Sequence, residues 1–207
     1  FVAALGSGVG VLVGAGAFNV AGVLVAAWVV FRRAGPAVGL GAAVVLAGVA
    51  WAQGLAVLTD PISSNMGGIP LLGLAALAWA VVDGDLRLLP LAAVFFAFVC
   101  QQHLAIVGVA TGTAAWAGLG VVLAVAAWAR TRRRDGAPAT AESGDVPSGD
   151  GSGAVPSPWP WIGVALAVSV VAWLPVLVDQ FWGTGNVGRM ASFAGSSERP
   201  SLGPVSG

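Results

Sequence analysis

The chain alternates long apolar runs with short polar turns, and its longest stretch without an acidic or basic residue other than one histidine runs from Leu88 to Ala129. As one helix, at about 1.5 Å per residue, that stretch would be roughly twice the ~30 Å thickness of a bilayer core, so it must turn once. Cys100-Gln101-Gln102-His103 is the polar cluster inside it and holds the chain's single histidine. Two amides and an imidazole are costly in hydrocarbon and tolerated at its edge, which places the turn there. The pattern therefore predicts one span from about Leu88 to Cys100 and another from about Leu104 to Trp128.

The remaining runs read the same way. Phe1 to Phe31 is apolar and stops at Arg32-Arg33. It accommodates one tilted or broken helix, or the tail of an earlier helix followed by a full span. Glycines at 6, 8, 10, 14, 16 and 22 permit close helix packing, and the isolated Asn19 is expected to bond to another helix. Gly35-Pro36 predicts a turn, and a second span covers about Ala37 to Leu58. A polar loop follows, Thr59-Asp60-Pro61-Ile62-Ser63-Ser64-Asn65-Met66-Gly67-Gly68, then a third run from Ile69 to Val82 and the turn Asp83-Gly84-Asp85-Leu86-Arg87.

The third and fourth runs are short, at ~20 Å each. Two short spans, shielded by neighbours or beside a thin region of bilayer, are preferred over a re-entrant hairpin. A hairpin would bring Asp83, Asp85 and Arg87 to membrane depth, at about 2.5–3.5 kcal/mol for each. After the fifth span come Arg130-Thr131-Arg132-Arg133-Arg134 and a Gly/Ser/Pro/Ala-rich linker, so residues 130–158 are expected to be disordered. Trp159-Pro160-Trp161 marks a membrane interface, with a sixth span over 159–178. Residues 179–207 read as a polar segment leading to a further domain. The fold class is thus all-α: a polytopic transmembrane bundle of about six spans, five of them within residues 1–129.

Composition agrees with that reading. The chain is 57% hydrophobic and 9% charged, against about 25% charged in a soluble domain. Its formal net charge is zero, which suggests no nucleic-acid partner. A single cysteine, Cys100, excludes an internal disulfide and a Cys-rich metal site. The chain begins without Met and inside an apolar run, so it is read as a segment of a longer protein.

All nine basic residues are arginine. Six alternating spans with Arg32-Arg33 in the cytoplasm also place Arg87, Arg130 and Arg132 to Arg134 there, as the positive-inside rule expects. The exceptions, Arg189 and Arg199, are in the tail. The expected location is the plasma membrane, with the linker cytoplasmic. The turns at 59–68 and 101–103 and the segment 179–207 are expected to be extracytoplasmic.

Those outer turns carry the candidate chemistry. His103 has the one side chain whose ordinary pKa lies near neutrality, and could move a proton or bind an anion. Gln101 and Gln102 offer amide donors suited to phosphate or sugar oxygens. Equally, all three could simply cap a turn and bond to neighbouring backbone. Asp60 before Pro61 is a common turn arrangement. Asp179 could cap a helix, bind a metal or hold His103. Scattered acids and one histidine give no zinc-type ligand spacing, and there is no phosphate-binding glycine loop or nucleophile elbow. Asp83 and Asp85 beside Arg87 read as a solvated turn, and the arginines after Trp128 as a topology anchor.

Three segments, in order, carry a resemblance. The first is Thr59-Asp60-Pro61 through Asn65, with Pro70-Leu71-Leu72 leading into Ala78-Trp79-Ala80. The second is Gly84-Asp85 and Leu89-Pro90, then Gln102-His103 at the end of the next helix. The third is Trp173-Leu174-Pro175 with Asp179-Gln180 and Gly185-Asn186. This order resembles the actinobacterial GT-C-type membrane glycosyltransferases, related to the mannosyl- and arabinosyltransferases that use polyprenyl-phosphate sugars. The family's "QTH" is Gln101-Gln102-His103 here, and Asn65-Met66 stands where the family has Asn-Pro.

The resemblance implies a GT-C-like bundle that moves a sugar from a polyprenyl-phosphate donor to a glycan or protein acceptor outside the membrane. It implies that the catalytic acidic residue sits in a first outer loop upstream of Phe1. Gln102 and His103 would then lie near the donor phosphate or sugar, with Gln101, Asp60 and Asn65 beside them. Asp179, Gln180 and Asn186 would shape the same mouth, and grooves between helices would take the prenyl tail. No cofactor is called for by these residues, and a divalent metal in the full-length enzyme is left open. A transporter or permease is the alternative, although no repeat relates the two halves and the ionisable groups sit at the span edges. A non-catalytic membrane subunit whose linker docks a cytosolic protein is a third reading.

Overall fold

The computed structural model describes residues 7–59, 67–102, 104–135 and 156–183, together with 185, 188, 189 and 192. The described residues contain no strand. They form six helices: α1 Ser7–Ala34, α2 Pro36–Thr59, α3 Gly68–Val82, α4 Leu89–Gln102, α5 Leu104–Asp135 and α6 Trp159–Trp182. A 3₁₀ turn, Leu86–Leu88, leads into α4. Two compact units divide inside α6, Phe1–Ser169 and Val170–Gly207.

Four of the helices are long and apolar enough to cross a membrane: Leu12–Ala34 in α1, α2, Ile106–Arg133 in α5, and α6. The other two, α3 and α4, are the shorter apolar helices that the third and fourth runs predict. The short pair forms the centre of the first unit. Leu74, Leu77, Ala80, Phe95 and Val99 from α3 and α4 are buried with Val29 of α1 and Ala110 of α5. A helix apolar on all sides belongs in an interior, and α3 is packed on by α1, α4 and α5.

Glycine decides how closely these helices approach. A Cβ added at Gly22 would lie 2.9 Å from the Ile69 carbonyl oxygen, and one at Gly120 would lie 2.5 Å from Val82 Cα. Both contacts are with backbone, so α1 and α5 meet α3 at separations only glycine allows. Next to the first crossing, Phe18 of α1 stacks on Phe98 of α4 with ring centroids 3.6 Å apart.

The turns follow from the same residues. Gly35 takes φ 87° after α1, and Pro36 opens α2. A left-handed glycine followed by proline at the first helical position stops one helix and starts the next. At the end of α3, Gly84 takes φ 95°. Asp85 N–H donates to the Ala80 carbonyl and Gly84 N–H to that of Val81, both at 3.0 Å, which closes the helix as a Schellman motif. The turn read from Asp83 to Arg87 is this cap.

Three boundaries differ from expectation. α1 extends through Arg32 and Arg33 to Ala34. α5 continues through its arginines to Asp135 instead of ending at residue 129, because arginine is a good helix former and cations suit a helix C-terminus. α6 continues past residue 178 to Trp182, so Asp179 and Gln180 are helical. Residues 136–155 of the expected linker lie outside the described residues.

Candidate functional site: a polar helix end and an apolar groove

Gln101 and Gln102 occupy the last turn of α4, and α5 begins at Leu104, so the helices break where the polar cluster predicts. Gln101 is exposed and Gln102 half-buried. Gln102 Nε2 donates to the Phe98 carbonyl at 3.3 Å, bonding back along its own helix. In this state its amide secures the helix end, the modest role that the sequence reading kept open. His103, Asp60, Asn65 and Asn186 lie outside the described residues.

Gly67 nevertheless lies against the junction of α4 and α5. A Cβ added at Gly67 would lie 3.7 Å from Gln102 Cβ and 2.7 Å from Ile106 Cδ1. Gly67 immediately precedes α3, so the start of α3 lies directly against Gln102 of α4 and Ile106 of α5. Arg33 pairs with Asp83 at the far end of α3, some 22 Å away for fifteen residues of helix.

On the other side of residues 60–66 in sequence is Thr59, the last residue of α2. Thr59 and Gly16 lie at one end of a groove of about 740 Å³ between α1 and α2, whose walls include Asn19, Leu24, Trp51 and Leu58. The walls are apolar, apart from Asn19 and Thr59. Trp51 is 88% exposed, so the groove opens sideways from the helix pair.

Two features shape this groove. Gly54 interrupts α2 with φ 78° and ψ 157°. That backbone region is essentially reserved for glycine, and it breaks the i→i−4 ladder a turn before the helix ends. Asn19, buried at 4% exposure, reaches across from α1 and donates from Nδ2 to the Leu58 carbonyl at 2.7 Å. Leu58 is in the last turn of α2, where carbonyls lack intrahelical partners, so a side chain of one helix caps another. The interhelical bond expected of Asn19 is present, while its Oδ1 is buried without a partner among the described residues. Sequence reading missed Gly54, although a glycine inside an apolar helix was a signal for it.

Asp179 and Gln180 belong to the second unit. The Asp179 carbonyl accepts from Gly183 N–H at 3.0 Å and Gly185 N–H at 3.1 Å, so its backbone closes α6. Gln180 Oε1 accepts from Gly188 N–H at 3.1 Å and ties that residue to the helix end. Among the described residues, no three His, Cys, Asp or Glu side chains gather as a metal site. Set against protein-family models, curated proteins and solved structures, the chain has no match in any of the three comparisons.

Proposed function

We propose that this chain is the membrane part of a glycosyltransferase that takes a sugar from a polyprenyl-phosphate donor and passes it to an acceptor outside the membrane. One observation carries this reading: an apolar groove, open sideways, runs along two membrane-length helices and ends at Thr59, next in sequence to the polar residues 60–66. Gly67, which follows the polar residues 60–66 in sequence, lies against Gln102. A prenyl tail lying in the groove would deliver its phosphate and sugar to those polar residues and to Gln102-His103.

The chemistry of such a donor fits the residues present. A lipid-linked sugar phosphate already carries its leaving group, so no nucleotide fold is required. The protein must deprotonate an acceptor hydroxyl and stabilise the departing phosphate. Amide donors at Gln101 and Gln102 and the imidazole of His103 serve the second task. The base for the first task belongs, on this reading, to a loop upstream of Phe1.

One feature favours a transporter or permease instead. Interrupted helices flank transported substrates, and Gly54 interrupts α2. Against it, no ionisable side chain among the described residues lines the groove.

The test is sugar transfer by the full-length protein in proteoliposomes, with polyprenyl-phosphate mannose and arabinose as donors and release of polyprenyl phosphate as readout. His103→Ala is expected to lower turnover on the order of 100-fold, the effect of losing one leaving-group stabiliser, at unchanged protein level. Full turnover in that variant removes the site assignment, and no release by wild type from either donor removes the reading.

A further inference from the structure

A second pocket lies at the opposite end of α3 from Gln102. It has a volume of about 310 Å³, and Trp28, Arg32, Arg33, Asp83, Asp85 and Leu88 line it. Arg33 Nη1 pairs with Asp83, its Nη2 donates to the Ala80 carbonyl at 3.1 Å, and that same nitrogen lies 3.7 Å from Asp85. The Arg32 guanidinium lies 5.0 Å from the centre of the Trp28 ring and has no carboxylate in pairing distance among the described residues.

We propose that this pocket binds the zwitterionic head of an aminophospholipid, a phosphoethanolamine ester, with the phosphate on Arg32 and the ammonium on Asp85. Charge is the first argument. Two arginines and two aspartates sum to zero, so an anionic head meets repulsion from the acids and a cationic head from the arginines. A zwitterion satisfies both signs. Guanidinium is well suited to phosphate oxygens, and Arg32 is the cation left over once Arg33 is engaged. Asp85, loosely paired at 3.7 Å, has acceptor capacity for ammonium N–H groups. A quaternary ammonium would instead want an aromatic face, and Arg32 already covers that of Trp28.

Placement is the second argument, and it selects a lipid over a soluble zwitterion. Val20, Leu24, Trp28 and Arg32 recur every four residues along α1, and Val20, Leu24 and Trp28 are exposed. Residues at that spacing form one stripe along a helix. The stripe runs from the pocket into the α1–α2 groove, which Val20 and Leu24 also line. From Arg32 to Asn19 is about 20 Å of helix, the length of an ordinary acyl chain. A head at Arg32 thus has its chains already routed, into the groove that the proposed donor's prenyl tail would also take, so the two lipids exclude one another there.

The test uses the purified chain in detergent, an equimolar mixture of dioleoyl phosphatidylethanolamine, phosphatidylglycerol and phosphatidylcholine, and native mass spectrometry of the lipids retained. Wild type is expected to retain phosphatidylethanolamine over each of the others on the order of fivefold, the factor one interfacial charge supplies. Asp85→Asn leaves one net positive charge and is expected to reverse the order in favour of phosphatidylglycerol. Arg32→Gln is expected to lower phosphatidylethanolamine retention by a similar factor. Neither variant touches the Arg33–Asp83 pair that ties α1 to the α3 cap, and Arg32→Gln alone suffices if Asp85→Asn does not fold. Equal retention of the three lipids, a wild-type preference for either of the other two, or an unchanged order in every folded variant overturns the proposal. Displacement of the lipid by free O-phosphoethanolamine at equal concentration overturns the assignment to a lipid.

Discussion

Asn19 Nδ2 donates to the carbonyl of Leu58 at 2.7 Å and so caps α2 from α1, four residues beyond the break at Gly54. The bond spans 39 positions of sequence and anchors the end of α2 at which the groove closes. Asn19→Ala removes the cap but also removes the buried Oδ1 that has no partner among the described residues, so the two effects partly offset. Hydrogen bonds between membrane helices average about 0.6 kcal/mol and reach about 1.7. The expected loss lies in that range, measured by reversible unfolding in mixed micelles. A loss several times larger would mean that the bond organises more of the first unit than the end of α2.

Glycine contacts allow a cleaner stability test, because they differ in kind along one helix. On α5, Gly120 faces the backbone of Val82, whereas a Cβ at Gly112 meets nothing within 4 Å. Gly120→Ala must push α5 away from α3, and overpacking of this kind costs about 1–3 kcal/mol. Gly112→Ala is expected to be neutral or stabilising, since alanine is the better helix former. The pair should be compared in the same unfolding assay. Equal effects would place the α3–α5 contact elsewhere.

The elements of this fold were legible because membrane helices must be apolar over their full length, and every helix here follows an apolar run. The α4–α5 break was legible at Gln101 to His103 for the same reason in reverse. What the pattern did not reveal is three-dimensional. Gly54 sits in a run as apolar as its neighbours, and only backbone angles show that it breaks α2. Asp83 and Asp85 read as a solvated turn beside Arg87, yet the arginine that engages them is Arg33, fifty positions from Asp83. Helix ends ran past their expected limits at Asp135 and Trp182 because hydrophobicity marks where a bilayer stops and not where a helix does. At the candidate site, the spacing pointed to Gln102, but not to the adjacency of Gly67 or to the groove ending at Thr59.

The Arg33 latch is open to a double-mutant cycle. Its side chain is 17% exposed and that of Asp83 60%, so water screens the pair from the Asp83 side. Pairs of this exposure contribute about 0.2–1 kcal/mol. The coupling between Arg33→Gln and Asp83→Asn is expected within that range and should shrink as salt is raised. Arg33→Gln alone should cost more than Asp83→Asn alone, because Arg33 also bonds to the Ala80 carbonyl and faces Asp85. Equal single effects would mean that those two extra contacts contribute nothing.

Sidedness is the expectation on which the proposed chemistry most depends. If the loop before Gly67 and the α4–α5 turn face outward, a lipid-linked donor and an extracytoplasmic acceptor can meet there. If they face the cytoplasm, a polyprenyl-phosphate donor of this kind has no route to them. Ser64 lies in that loop, and Cys100 is the chain's single native thiol. Ser64→Cys in a Cys100→Ala background therefore gives one thiol at the position of interest. A membrane-impermeant maleimide added to intact cells is expected to label it fully, and cytoplasmic delivery of the reagent in inverted vesicles to label it only after permeabilisation. A cysteine in place of Thr131, beside Arg130 and Arg132, should give the opposite pattern, since it lies at the arginine-rich end of α5. Labelling of position 64 only from the cytoplasmic side would invert the bundle. The arginines would then lie outside, against the charge bias that orients membrane helices, and the glycosyltransferase reading would fall.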